Sequence, residues 1–238
     1  MTSKSGDSQA PDGAPTRPTS GFVAIDGPVA SGKTTVGASV ARRLGWRFLD
    51  TGSMYRAFTW TALSRGVDPN DDAAQSALAS RIQIRLVSGD AGDRLMVDGR
   101  DVTEHLREPE VERNVSLSSR VSGVRSALVG QQREIAKGGP VVMVGRDIGT
   151  VVLPCSEVKV FLEASVEVRA RRRFVEMTAR GEEAELQQVV DGLLRRDMID
   201  TGRADSPLRI ADDAVRIDTD ELTVDEVVET ILSLVNGG

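Results

Sequence analysis

Close to its start the chain reads Ile25-Asp26-Gly27-Pro28-Val29-Ala30-Ser31-Gly32-Lys33-Thr34-Thr35, and no other stretch restricts the fold so tightly. Gly27 and Gly32 bracket four residues just ahead of Lys33 and Thr34. That is the G-x-x-x-x-G-K-[ST] spacing with which a backbone wraps an anion. Such a loop works only between a strand that delivers it and a helix that it opens. Glycines let successive N–H groups turn inward, and the following helix adds the positive end of its dipole. Phe22–Asp26 supplies the apolar run, and the pattern predicts a helix over about 33–44. A glycine-rich turn that merely precedes a helix is the bland alternative, and this context disfavours it. In the cradle Gly27, Pro28, Val29, Ala30, Ser31, Gly32, Lys33, Thr34 and Thr35 would hold ATP. Lys33 would reach the β- and γ-phosphates and the Thr34 hydroxyl would ligate Mg²⁺.

The rest of the chain continues in the same rhythm. WRFL (46–49), PVVMV (140–144), EVKVFL (157–162) and DAVRID (213–218) have strand character. Helices are predicted over about 53–64, 106–136 with a break near Gly123, 166–180, 183–199 and 223–235. The last opens on Thr223 with Glu226 three residues on, a capping-box spacing. Strand–helix alternation implies an α/β fold with a mainly parallel sheet covered on both faces. Residues 81–103 differ: Ile82, Ile84 and Leu86 alternate with Arg81, Gln83 and Arg85, SGDAGD makes a turn, and Asp98-Gly99 signals a tight hairpin. This predicts a small antiparallel insert.

Composition narrows the function. The formal net charge of −6 argues against a nucleic-acid partner. Cys155 is the single cysteine, which excludes an internal disulfide or a cysteine metal cluster and fits the reducing cytoplasm. No apolar run approaches the roughly 18 residues of a membrane span. Residues 1–20 hold no Ile, Leu, Val or Phe, so they read as a disordered tail rather than a secretory signal, leaving one domain over 21–238.

No Asn-Lys-x-Asp segment reads guanine, and 238 residues leave little room for the arms of a mechanical ATPase. A small-molecule kinase remains. Arg169, Arg172, Arg173 and Arg180 fall near one helical face, with Glu176 among them. Singly each suits a solvated surface; together they suit a mobile lid that spreads charge over a transferring phosphoryl group. Arg196, Asp200 and Arg203 would share a face if their helix reaches that far.

LDTGSMYR (49–56), VGRDIGTVV (144–152) and RRDMIDTGRADSPL (195–208) resemble the signature segments of cytidylate kinases, the bacterial CMP kinases, and the likeness runs from Phe22 to Val235. It implies a P-loop kinase three-layer fold with a five-stranded parallel sheet, a small antiparallel insert in the nucleotide-acceptor region and an Arg-rich helical lid. The core would comprise 21–64, 126–164 and 204–238, the insert about 65–125 and the lid about 165–185. The implied reaction is phosphoryl transfer from ATP to CMP or dCMP by a monomer. By the same resemblance, Asp50, Thr51, Gly52 and Arg56 receive the acceptor, with Arg56 on its phosphate. Ser116, Arg125 and Asp147 read cytosine; a carboxylate and a hydroxyl accept from its amine and an arginine donates to its O2 and N3. Arg146 holds the acceptor phosphate, and Arg196, Asp200 and Arg203 span the sugar and that phosphate. Lys33, Arg56, Arg146, Arg169, Arg172 and Arg173 make the catalytic set. Without the resemblance, Ser116 could simply decorate a helix, Arg125 the surface, and Asp147 could cap a turn.

Two positions depart from the pattern. Val144 stands where the family usually has an acid that positions Mg²⁺ through water, which leaves Asp26, Asp147 and Thr34 near the ion, Asp26 as an outer-shell partner. On that reading Val144→Glu alters the Mg²⁺ dependence. Ile199 stands where some relatives carry arginine. Other acceptors stay open, among them UMP, a sugar acid or shikimate, as does a non-catalytic nucleotide-binding regulator. The single His105 reads as exposed and idle.

Overall fold

The computed structural model describes residues 21–89 and 92–237. The predicted tail over 1–20 and the tip of the SGDAGD turn lie outside them. Strand β1 (Phe22–Asp26) is followed by helix α1 (Lys33–Leu44), β2 (Arg47–Asp50) and α2 (Thr51–Ser64). Farther on, β6 (Val141–Gly145), β7 (Val158–Glu163) and β8 (Val215–Asp218) complete a five-stranded parallel sheet in the order β2-β6-β1-β7-β8. Strand β6 is inserted between the first two: Val141 pairs with both Phe22 of β1 and Arg47 of β2.

Two helical layers cover the sheet because its strands alternate. Val23, Ile25, Val142 and Val144 face Val36 and Val40 of α1 and Ile231 of the last helix, α8 (Val224–Asn236). Ala24, Leu49 and Met143 face Met54 and Phe58 of α2 and Leu128, which belongs to α5 (Ser122–Ala136). The capping box that opens α8 is present, with Thr223 and Glu226 each bonded to the other's backbone N–H.

The antiparallel insert is β3 (Ile84–Gly89), β4 (Gly92–Val97) and β5 (Arg100–Asp101), with Asp98 and Gly99 at positive φ in the β4–β5 turn. Ahead of it lies α3 (Asp72–Ala79), which the hydrophobic pattern does not announce: its buried residues are Gln75 and Ala79. The long predicted helix divides into α4 (Pro109–Arg120) and α5 near Gly123, as expected, with the break at Val121, whose backbone is extended. After β7 come α6 (Val166–Ala179) and α7 (Leu186–Gly202), joined by a small cluster of Ala170, Val189 and Leu193. Helix α7 ends one residue short of Arg203.

Candidate active site

All of the chemistry-bearing loops open at the C-terminal ends of the parallel strands, where ligands bind in open α/β sheets. The cradle turns out of β1 at Gly27, whose φ of 148° suits glycine and whose missing Cβ would lie 2.2 Å from the Leu162 carbonyl oxygen. Gly32, also at positive φ, caps α1. Lys33 is buried, and its Nζ donates to the Pro28 carbonyl at 2.5 Å and to Ser31 Oγ at 3.2 Å. Burial, reinforced by nearby Arg146, pushes its pKa well below the usual lysine range. Its hydrogen-bond partners are neutral, so an incoming phosphate would supply the missing counter-charge. Thr34 Oγ1 donates to Asp50 Oδ2 at 2.9 Å, while Asp50 Oδ1 accepts from Gly52 N and caps α2.

Val29 to Thr35 line a cleft of about 670 Å³, and Asp50, Thr51, Gly52, Arg56, Ser116, Arg125, Arg146, Asp147, Arg172, Arg173, Arg196, Asp200 and Arg203 line the same cleft. Gly27 and Pro28 are not among its lining residues. Two expected members are elsewhere. Asp26 spends both carboxylate oxygens on the N–H groups of Ile148 and Gly149, each at 2.8 Å, which anchors a single turn of π-helix over Ile148–Val152. Burial raises its pKa to about 6. Arg169, expected among the catalytic arginines, is buried behind the cleft. Its guanidinium is taken up by Asp197, at 2.7 and 3.2 Å, and by the carbonyls of Val29 and Ala164. It therefore clamps α6 to α7 and to the cradle. Val144 points away from the cleft and packs against Gly37 under α1.

Elsewhere in the cleft, Arg125 and Asp147 form a fully buried pair at 2.5 Å, and the guanidinium lies over the Tyr55 ring, 5.4 Å from its centroid. Three buried polar atoms here have no partner: Tyr55 Oη, Arg125 Nε and Arg203 Nε. Burial pushes the Tyr55 hydroxyl up to about 12. Orphaned buried donors are costly, and their convergence on one cleft is what a site for a polar ligand requires. Beside them, Asp200 accepts from Arg146 Nε at 2.8 Å and sits 3.6 Å from Arg203. Burial opposes its ionisation, but these arginines hold its pKa below the usual carboxylate range.

The remaining arginines gather on a residue that the sequence does not single out. Glu112 Oε1 lies 2.9 Å from Arg56 and 3.1 Å from Arg107, and its Oε2 lies 3.3 Å from Arg173 and 3.6 Å from Arg196. Burial alone would raise its pKa, yet Arg56, Arg173, Arg196 and Arg107 bring it down to about 2. On the other side of the cleft, Arg172 donates to the hydroxyl and carbonyl of Thr219, beside Leu222, Val224 and Val227, a slot of mixed character that the sequence reading also misses. His105 is half-exposed, as expected, but not free: its ring stacks on Trp60 and its Nδ1 meets Glu108. Among the described residues no group of three His, Cys, Asp or Glu side chains is placed to hold a metal. One hydroxyl and one carboxylate, Thr34 and Asp50, suit instead a Mg²⁺ that arrives on triphosphate oxygens.

Known proteins resemble this chain over most of its length. A cytidylate kinase of Geobacillus kaustophilus is 49% identical over 214 residues, covering 90% of this chain and 96% of that protein. One of Bacillus velezensis is 46% identical over 213 residues, covering 90% and 95%. An uncharacterized protein of Eubacterium ventriosum shares the fold at a TM-score of 0.51 and 12% identity, over 92% of this chain and 99% of that one. The family model for cytidylate kinase matches residues 23–237, and the chain belongs to that family.

Proposed function

We infer that this chain carries out the reaction of its family, moving the γ-phosphoryl group of ATP to CMP or dCMP and releasing ADP with CDP or dCDP. The observation that carries this reading is the buried Arg125–Asp147 pair, held in the same cleft as the phosphate cradle. In this reading Asp147 and Ser116 accept from the cytosine amine, and Arg125 donates to its carbonyl and ring nitrogen. Asp50, Thr51 and Gly52 line the entry of the acceptor, and Asp200 and Arg203 hold its sugar. The slot beside Arg172, Leu222 and Val224 takes the adenine of the donor.

The attacking oxygen belongs to the acceptor's own ionised phosphate, so no strong base is needed. Alignment and neutralisation do the work. Lys33, Arg56, Arg146, Arg172, Arg173 and Arg196 surround the transferring group, and closure of a lid at about 165–185 over the core and the insert excludes water. Arg169 positions that lid. A Mg²⁺ ion would rest on Thr34, next to Asp50, and when bound neutralises the triphosphate. Cys155, the one cysteine, is exposed, as suits a cytoplasmic enzyme, and no helix among the described residues is long and apolar enough to cross a membrane. The protein acts as a monomer on small molecules, without a nucleic-acid partner.

An acceptor panel with radiolabelled ATP tests the reading. Label appears on CMP and dCMP at least about tenfold faster than on UMP. Transfer to shikimate or a sugar acid in preference to CMP would overturn it, and tight ATP binding with no transfer to any acceptor would favour a regulator.

A further inference from the structure

We propose that Glu112 is a built-in stand-in for the acceptor's phosphate, occupying the phosphate-binding arginines until the nucleotide takes them over. The inference rests on the reading that Arg56 and Arg196 bind that phosphate. A phosphate group and a carboxylate both present oxygens that fit the guanidinium fork, and Glu112 divides its two oxygens between four such forks. They come from four separate parts of the chain: Arg56 from α2, Arg107 from the segment before α4, Arg173 from α6 and Arg196 from α7.

The placement suits an exchange. Arg107, Arg173 and Arg196 form a wall shared by two hollows, the substrate cleft and a neighbouring one of about 630 Å³, whereas Glu112 lines only the second. The same forks can therefore turn from the glutamate on one side to a substrate phosphate on the other, giving up one for the other. The charge count points the same way: Glu176 also meets Arg173 at 2.9 Å and Arg107 at 3.9 Å, so four guanidiniums face two carboxylates, and the excess of two positive charges suits a dianion. Because Glu112 joins the acceptor helix α2 to the lid helix α6, it also restrains the lid arginines from seizing a stray anion while the acceptor is absent.

Calorimetric titration of the full-length protein with inorganic phosphate and with CMP, both without ATP, decides the matter. Glu112→Gln removes the competitor and keeps the size. It tightens inorganic phosphate and CMP by about tenfold, lowers the KM for CMP more than it changes kcat, and leaves ATP affinity alone. Unchanged or weaker affinity for both ligands would make Glu112 a scaffold and overturn the exchange. Should Glu112→Gln fail to fold, Glu112→Asp decides, since the shorter side chain holds the arginines less well. Its phosphate affinity then exceeds that of the parent, and an equal or lower affinity refutes the idea. Arg56→Ala and Arg196→Ala separate the two layers of the argument. If both leave CMP affinity intact, the site reading fails. If they weaken it and Glu112→Gln tightens nothing, the exchange alone fails.

Discussion

Burial changes the meaning of a charge at individual positions in this cleft. Arg125 and Asp147 neutralise each other out of contact with water, so removing one leaves the other buried without a partner. Arg125→Ala accordingly raises the KM for CMP by about 100-fold, the equivalent of about 3 kcal/mol, while ATP affinity measured by titration stays within about twofold of the parent. Equal loss for both substrates would contradict the assignment of Arg125 to the base. Glu112 makes a different forecast, in acid. Its carboxyl titrates at about 2 in the folded protein against an ordinary 4.5. The stabilisation is therefore complete above the ordinary value and is lost as the pH falls from there toward about 2. The stability gap between the parent and Glu112→Gln in urea titrations narrows with acidification, by about 3 kcal/mol over the whole window. A gap independent of pH would contradict it. Neither residue was legible from local pattern. Arg125 and Asp147 stand 22 positions apart and meet only in the fold, so the family resemblance alone pointed to them. Glu112 is one of several acids in a charged helix start, and nothing in its neighbours distinguishes it.

Whole elements were easier to read, for a physical reason: strand and helix periodicity is written in large apolar residues. The five strands of the main sheet, the cradle helix and the capped α8 all carry that signal. Helix α3 does not, because it buries a glutamine and an alanine. The Val121 break is a backbone choice that Gly123, two residues on, only hints at. The seam between β6 and α1 changes what Val144 means. A Cβ on Gly37 would come within 2.5 Å of the Val144 side chain, which is itself 1% exposed. Val144→Glu would therefore place a carboxylate in an apolar layer, and its first effect is on stability: a loss of about 3 kcal/mol, or about 6–12 °C in Tm. A Tm unchanged by calorimetry would show that the new carboxylate escapes to the cleft, and an altered Mg²⁺ dependence would then follow. At the other end of the layer, Thr223→Ala removes half of a complete capping box and costs about 1 kcal/mol, readable as a shift in the urea midpoint with an unchanged slope.

For the molecule as a whole, α2, α4, α6 and α7 converge on one charge cluster, so with α6 as the proposed lid the two substrates should assist each other. CMP together with a non-hydrolysable ATP analogue raises Tm by more than the sum of the separate increments, and simple additivity would argue against a shared closure. On the proposal of a monomer, sedimentation equilibrium should give the mass of a single chain with and without both ligands, and a doubled mass would overturn it. The order of strands also governs how the molecule is made. Strand β6 lies between β1 and β2 in space but follows them by about a hundred residues in the chain. On the ribosome the first two strands therefore emerge with no neighbour to pair with, and the cradle at the end of β1 has no backing. The nucleotide site comes into being only after Gly145 has left the exit tunnel, so a chain stalled before that point exposes apolar strand edges and becomes work for chaperones.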